Sequence, residues 1–222
     1  MEPAHQELFE QLCKKKDVVV ASGGKLEQIR EQVTPRFTGM YFVLAQSGNH
    51  CVDPGGTELW NDQLSPEQTA AINAFIEKLK TYFDVEVQDP HDLVEHRGAQ
   101  ISYSVIGFHE SLENKYAFDP DDSKRQTALT ELSNDVTQLH EAKVEVTPAG
   151  TTTFNFYELN KHKGYNITRL LETKEWDKGD CMYIGDALFP GGNDETVIGV
   201  IPTHAVQNPE ETFDFIIKTL LS

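Results

Sequence analysis

The run Val18-Val19-Val20-Ala21-Ser22-Gly23-Gly24 decides the fold. Four apolar residues in succession, with no polar alternation, read as a strand buried on both faces, which is the pattern of a parallel sheet. Ser22-Gly23-Gly24 then makes a tight turn into a helix over residues 25–32, whose free N–H groups form an anion-binding end. Upstream, Leu8, Phe9 and Leu12 at helical spacing, followed by Lys14, Lys15 and Lys16, predict a helix over residues 5–16. Downstream, residues 41–45 read as the next strand, with a turn at Ser47-Gly48-Asn49 and a hairpin-like stretch to Trp60.

At Leu64 the pattern changes. Ser65-Pro66-Glu67-Gln68 combines an N-cap Ser, Pro at the first helical position and a capping-box Gln, and the helix that it starts carries Ile72, Phe75, Ile76, Leu79 and Phe83 on one face. Val85 and Val87, then Ile101, Tyr103 and Val105, alternate with polar neighbours as half-buried antiparallel strands do. A helix over residues 123–140 comes next, then Val144 and Val146, a Pro148-Ala149-Gly150 turn, and Thr152, Phe154 and Phe156. From Lys163 the α/β pattern resumes, with a helix, strands at 181–184 and 197–201, and a closing helix from Pro209. The expected organisation is an α/β core domain, residues 1–63 and 159–222, interrupted by an α+β domain over residues 64–158.

Charge narrows the function classes. The 222 residues hold 19 Lys plus Arg against 36 Asp plus Glu, a formal charge of −17. Nucleic acid and anionic membrane surfaces are recognised through clustered Lys and Arg, so neither is an expected partner. A 38 % hydrophobic content, with 12 Phe and 7 Tyr, allows a real core and assigns the acidity to the surface. The three cysteines, Cys13, Cys51 and Cys181, lack paired spacing and read as reduced core thiols. The first residues carry no signal-peptide pattern and no apolar run spans a bilayer, so a cytoplasmic protein is the default expectation.

The strongest chemical signal is Ile184-Gly185-Asp186-Ala187-Leu188-Phe189-Pro190-Gly191-Gly192-Asn193-Asp194. A strand ending in Gly-Asp places a carboxylate at the C-terminal edge of a parallel sheet, where open α/β folds bind ligands. Gly191 and Gly192 let the backbone curl, so that Asn193 and Asp194 return to that mouth and, with Asp186, suit a hard cation such as Mg2+. By itself the loop is equally an acidic turn between two strands. Ser22-Gly23-Gly24 is a second candidate, as a phosphate cradle, although Ser-Gly turns before helices are common. Lys163 is a third, because a Lys at a helix start opposes the helix dipole and would fit retention for an anion, although solvated surface lysines are far commoner. His91 and His96 match no zinc spacing and read as part of a solvated acidic loop.

Together these motifs, Ser-Gly-Gly, Lys-Gly and Gly-Asp-(x)4-Gly-Gly-Asn-Asp, in this order and around an α+β insertion, resemble the haloacid dehalogenase (HAD) superfamily, subclass IIB. The tract Pro190-Gly191-Gly192-Asn193-Asp194 and the stretch Glu95-His96-Arg97-Gly98-Ala99-Gln100-Ile101-Ser102-Tyr103-Ser104 are most similar to its phosphomannomutase-like branch. The resemblance implies a Rossmann-like α/β core with a parallel sheet and an inserted α+β, C2-type cap. It implies Mg2+ held by Asp186, with Asn193 and Asp194 completing or orienting its shell. It implies that Ser22 bonds the transferring phosphoryl, that Lys163 pairs with it, and that Gly23, Gly24, Arg97, Gln100 and Asn155 face a phosphorylated sugar. A homodimer through the insertion fits the mutase relatives.

Two departures shape the expectation. The cap positions that carry an Arg and an Asp in the mutases are Phe108 and Asn155 here, which favours a sugar phosphatase over a phosphomannomutase. The family's Asp-x-Asp, which supplies the nucleophile, belongs before the first helix, and no residue of the chain as written stands there. Asp119-Pro120-Asp121 lies inside the insertion and reads as a turn and helix start. The expectation is therefore that Met1 is an internal methionine, that a first strand is missing, and that strands 18–21 and 181–184 keep unpaired edges. The alternative is a non-catalytic binding module.

Overall fold

Tertiary contacts divide the chain into two units, Met1–Asn61 with Lys161–Ser222, and Asp62–Asn160. The structure is a computed structural model that describes residues 1–221; Ser222, the last residue of the expected core domain, lies outside the described residues.

The first unit opens with α1 (Pro3–Lys15), β1 (Val19–Ala21) and α2 (Leu26–Val33). It continues through β2 (Phe42–Ala45), β3 (His50–Val52) and β4 (Glu58–Asn61). β1 lies parallel to β2, with Val20 opposite Val43, and β2, β3 and β4 form antiparallel neighbours. The hairpin expected up to Trp60 is therefore present, and the Trp60 indole N–H closes it by donating to the Gly48 carbonyl at 2.8 Å.

The second unit begins with α3 (Pro66–Phe83), capped as its sequence predicts: Ser65 Oγ accepts from the Gln68 N–H and Gln68 Oε1 accepts from the Ser65 N–H. β5 (Val94–His96) and β6 (Gln100–Ser104) come next, then α4 (Leu112–Phe118), α5 (Ser123–Glu131) and α6 (Ser133–Glu141). β7 (Val144–Ala149) and β8 (Thr153–Glu158) complete an antiparallel sheet of order β5-β6-β8-β7. Its apolar face packs Ile101, Tyr103, Val146, Phe154 and Phe156 against Ile72, Phe75, Ile76 and Leu79 of α3. Three local expectations change. Val85 and Val87 form no strand, because Asp84 turns left-handed after α3 and Val85 is left 40 % exposed. The helix over 123–140 is broken at Leu132 into α5 and α6. The helix α4 has no counterpart in the sequence reading.

Asp119-Pro120-Asp121 is a turn and helix start. Asp119 and Arg125 are both fully buried and form an ion pair at 2.7 Å, while Asp119 also accepts from the Lys124 and Arg125 N–H groups. Arg125 further donates to the carbonyls of Ala149, Gly150 and Thr153, tying α5 to the β7–β8 turn.

The chain returns to the first unit with α7 (Lys163–Lys174), β9 (Tyr183–Gly185), β10 (Thr203–Ala205) and α8 (Pro209–Phe215), which continues through Ile216–Leu220 with wider turns. The strand expected at 197–201 is replaced by a tight turn at Glu195–Val197 and a single bridge from Ile198 to Ile201; Gly199 with φ +84° prevents an extended run there. β9 pairs in parallel with β10.

Alternate residues of β1 and β9 enter the same two cores. Val18, Val20 and Ile184 pack on Phe9, Ile29, Phe37 and Phe213, whereas Val19, Ala21 and Tyr183 pack on Phe42, Leu44, Ile167 and Leu170. This period of two defines strands buried on both faces. Yet among the described residues β1 pairs only with β2 and β9 only with β10, so each ends its sheet. Residues 18–21 are accordingly half-buried rather than fully buried. No described helix is long and apolar enough to cross a membrane.

Candidate active site

Both edge strands end where the candidate residues begin, Ser22 after β1 and Asp186 after β9. Ser22 Oγ accepts from the Gly24 N–H at 3.2 Å, which closes the Ser-Gly-Gly turn on itself. That turn is held from the other side by the segment after β2, whose Gln46 and Ser47 N–H groups donate to the Gly24 and Ser22 carbonyls at 3.0 Å. Gln46 and Ser47 adopt positive φ, of 53° and 58°, a backbone region non-glycine residues enter only when their surroundings fix it.

Asn166 supplies that fixing. It is fully buried, and its Nδ2 donates at 3.2 Å to the Ser47 carbonyl and to Asn49 Oδ1. Asn49 donates in turn to the Gln46 and Lys161 carbonyls. One polar network thus joins the Ser22 turn to the start of α7, where Lys163 is the first residue.

The α7 start is positioned by close approach. A Cβ on Gly164 would overlap the Thr196 carbonyl, and the Gly164 N–H donates to Thr196 Oγ1 at 3.2 Å. This contact carries Lys163, 6 % exposed, to Asp194, 3 % exposed, and the two form an ion pair. The pair offsets the unfavourable placement of a cation at a helix N-terminus. Tyr183 completes the group: its hydroxyl donates to Asp194 Oδ1 at 2.8 Å and accepts from Lys163 Nζ at 3.2 Å. Burial, followed by the Asp194 charge, pushes the Tyr183 hydroxyl far above its ordinary range, so it stays protonated and remains a donor.

Of the three expected metal ligands, Asp186 and Asn193 are exposed, while Asp194 is buried and engaged by Lys163 and Tyr183. Among the described residues no group of three or more His, Cys, Asp or Glu side chains is arranged around a metal position. Mg2+ binds through one or two carboxylates, keeps several waters and takes further oxygens from substrate phosphate. A donor set of the Asp186 carboxylate and the Asn193 amide fits that habit in part, while Asp194 is bonded through Oδ1 to Lys163 and Tyr183.

In the second unit, Arg97 bonds Glu95 through Nε and Nη2, at 3.0 and 2.7 Å, and its guanidinium lies 6.0 Å from the centre of the Phe108 ring. Gln100 Nε2 donates to Ser102 Oγ, which donates to Asn155 Oδ1 at 2.8 Å. Gln100 Oε1 is buried with no partner among the described residues. Gln100, Ser102 and Asn155 therefore form one connected set, with Arg97 in the turn between β5 and β6, its N–H donating to the Gln100 carbonyl at 2.8 Å.

Sequence reasoning missed Tyr183, Asn166 and Asn49. Two signals were available: Tyr183 stands two residues before Gly185, on the same strand face, and Asn166 stands three residues after Lys163, on the same helix face.

No curated protein matches the chain. Solved structures share its fold at low identity. N-terminal truncated IMP-nucleotidase of Plasmodium falciparum is 15 % identical with a TM-score of 0.63 over 96 % of this chain and 64 % of that one. SMU.1108c of Streptococcus mutans UA159 is 16 % identical with a TM-score of 0.65 over 98 % and 91 % of the two chains. A haloacid dehalogenase-like hydrolase from B. subtilis is 12 % identical with a TM-score of 0.66 over 99 % and 93 %. The chain spans less than two thirds of the nucleotidase chain. The family model for eukaryotic phosphomannomutase matches residues 5–222, almost the whole sequence, and with the Ser22, Lys163 and Asp186 motifs in family order the chain belongs to that family of the haloacid dehalogenase superfamily.

Proposed function

We propose that the protein is a Mg2+-dependent phosphatase acting on a phosphorylated sugar, and not a mutase. The observation that carries this reading is the buried Lys163, fixed at the start of α7 by Asp194 and Tyr183 and joined through Asn166 to the Ser22 turn. A fixed ammonium, tied through one polar network to a Ser-Gly-Gly turn, suits a phosphoryl group, whose transfer depends chiefly on positioning and charge neutralisation. In this reading Lys163 neutralises a phosphoryl oxygen, Ser22 and the Gly23–Gly24 backbone orient it, and Asp186 with Asn193 holds the cation. Mg2+ would supply further neutralisation of the phosphoryl oxygens.

Hydrolysis is favoured over isomerisation by the second unit. A mutase must hold its substrate by either phosphate, but Arg97 is paired with Glu95, and the neighbouring positions are the neutral Phe108 and Asn155. The Gln100–Ser102–Asn155 set suits sugar hydroxyls. The charge of −17 supports a reading without nucleic-acid or anionic-membrane partners, and a homodimer through the insertion remains part of the proposal.

The test is phosphate release from a panel of sugar monophosphates with Mg2+, using this chain and a form extended upstream. Release that depends on Asp186, shown by its loss in Asp186→Ala, is the expected result. No release from either form, or release unaffected by Asp186→Ala, overturns the reading. Conversion of mannose 1-phosphate to the 6-phosphate would replace the phosphatase by the mutase. A second reading, binding without turnover, is favoured by the carboxylate beside Lys163 being Asp194, already engaged by two donors.

A further inference from the structure

We infer that Tyr183 is a positioning residue for Lys163: its hydroxyl sets where the ammonium points and which oxygen of Asp194 it shares. This rests on the reading of Lys163 as the group that meets a phosphoryl oxygen.

A tyrosine hydroxyl has one proton to give and lone pairs to accept with. Here both capacities are used inside one closed set. Tyr183 donates to Asp194 Oδ1 at 2.8 Å and accepts from Lys163 Nζ at 3.2 Å, while Lys163 itself pairs with the same Asp194 oxygen. Without the hydroxyl, the ammonium would have one anchor, and a flexible four-carbon stem swings about a single ion pair. With two anchors, two of its three N–H donors are committed and the third has a fixed direction.

The backbone shows that this placement is built in. Gly185 lies directly beneath the set: a Cβ there would stand 2.6 Å from Tyr183 Cε1 and would overlap Asp194 Oδ2. The absence of a side chain at 185 is what lets the phenol ring and the carboxylate lie side by side. The Lys163 ammonium, 3.2 Å from the hydroxyl oxygen and 5.8 Å from the ring centre, lies off the hydroxyl end of the Tyr183 ring. Tyr183 itself is half-buried on β9 and faces the core that holds Ile167 and Leu170 of α7, so its ring is held by the helix that carries Lys163.

Two measurements on the 222-residue chain test this. The first is 13C relaxation at the Lys163 ε-methylene. It should report an ordered side chain in the parent and a mobile one in Tyr183→Phe, which keeps the ring and removes only the hydroxyl. Equal order in both would overturn the inference. The second is affinity for inorganic phosphate in the parent, Tyr183→Phe, Asp194→Asn and the double variant. The hydroxyl acts on phosphate only by orienting the ammonium, so Tyr183→Phe should weaken phosphate by about 3- to 10-fold, less than the full worth of a hydrogen bond to a charged group. Because both residues act through one ammonium, the double variant should lose no more than the weaker-binding single one. Phosphate bound equally by Tyr183→Phe and the parent, or losses that simply multiply, would refute it. A parent that binds no phosphate sinks the phosphatase reading, and the relaxation measurement then decides the role of Tyr183 alone. Should Tyr183→Phe not fold, 3-fluorotyrosine at 183 changes the hydroxyl at nearly constant shape, and unchanged Lys163 order would count against the inference in the same way.

Discussion

Replacing Arg125 by Met should unfold the Asp62–Asn160 unit well before the rest of the chain. In the structure Arg125 and Asp119 have no exposed surface, and the guanidinium serves the Asp119 carboxylate, Asp122 and the carbonyls of Ala149, Gly150 and Thr153. Methionine fills much of the volume but leaves a buried carboxylate with no counter-charge and three carbonyls without their donor. Breaking one side of a buried ion pair costs about 3–5 kcal/mol. For a domain of roughly 100 residues each kcal/mol lowers the midpoint by about 4–8 °C, so the expected fall is at least ~12 °C. Both tryptophans, Trp60 and Trp176, lie in the other unit. Far-UV circular dichroism should therefore show an early transition to which tryptophan emission does not respond. Asp119→Leu combined with Arg125→Met removes both charges and should recover at least half of the loss, since paired apolar replacements of buried ion pairs are often neutral. If Arg125→Met melts within about 2 °C of the parent, the clasp contributes nothing and the calculation is wrong.

The same contacts carry other expectations. Gly164→Ala places a methyl group on the Thr196 carbonyl, so α7 must shift and Lys163 with it; phosphate affinity should fall at least as far as in Asp194→Asn, and parent-like affinity would contradict the close-approach reading. Burial pushes the Cys51 thiol up to about 12 from an ordinary 9.0, and Cys13 up to about 11. The raised value means that burial of the neutral thiol contributes its full stability below pH 9.0 and loses it as pH rises toward about 12; denaturation midpoints should decline across that window more steeply than in Cys51→Ala. The unpaired parallel edges of β1 and β9 predict concentration-dependent association of the 222-residue chain by light scattering, and a monodisperse monomer with one cooperative melt would argue against it.

The sequence was most informative where one residue type has one local consequence. Ser65-Pro66-Glu67-Gln68 specified a helix start, and the structure closes both bonds of the capping box. Asp119-Pro120-Asp121 was legible as a turn because Pro fixes the chain and Asp caps the next helix, though nothing in the spacing revealed that Arg125 six positions on would bury itself against it. Where type alone governed, the reading failed. Val85 and Val87 have strand propensity, but two alternating residues after a left-handed Asp84 have no partner to pair with. Val197 to Ile201 is equally apolar, yet Gly199 turns the backbone and the strand forms later, at Thr203–Ala205.

The candidate site divides in the same way. Ser22, Lys163, Asp186 and the Gly191-Gly192-Asn193-Asp194 loop were visible because each belongs to a contiguous motif at the end of a strand or the start of a helix. Asn166 and Asn49 were not, since their roles are bonds to segments more than a hundred residues away in the chain. Alone, then, the sequence determined most of the helices and strands and the identity of the charged groups at the mouth, because periodicity, caps and turn chemistry are local. Only the tertiary structure decided that Asp194 pairs with Lys163 and that Tyr183 bonds to both. A carboxylate's partner is whichever cation the fold brings within 4 Å, and chain order does not encode that distance.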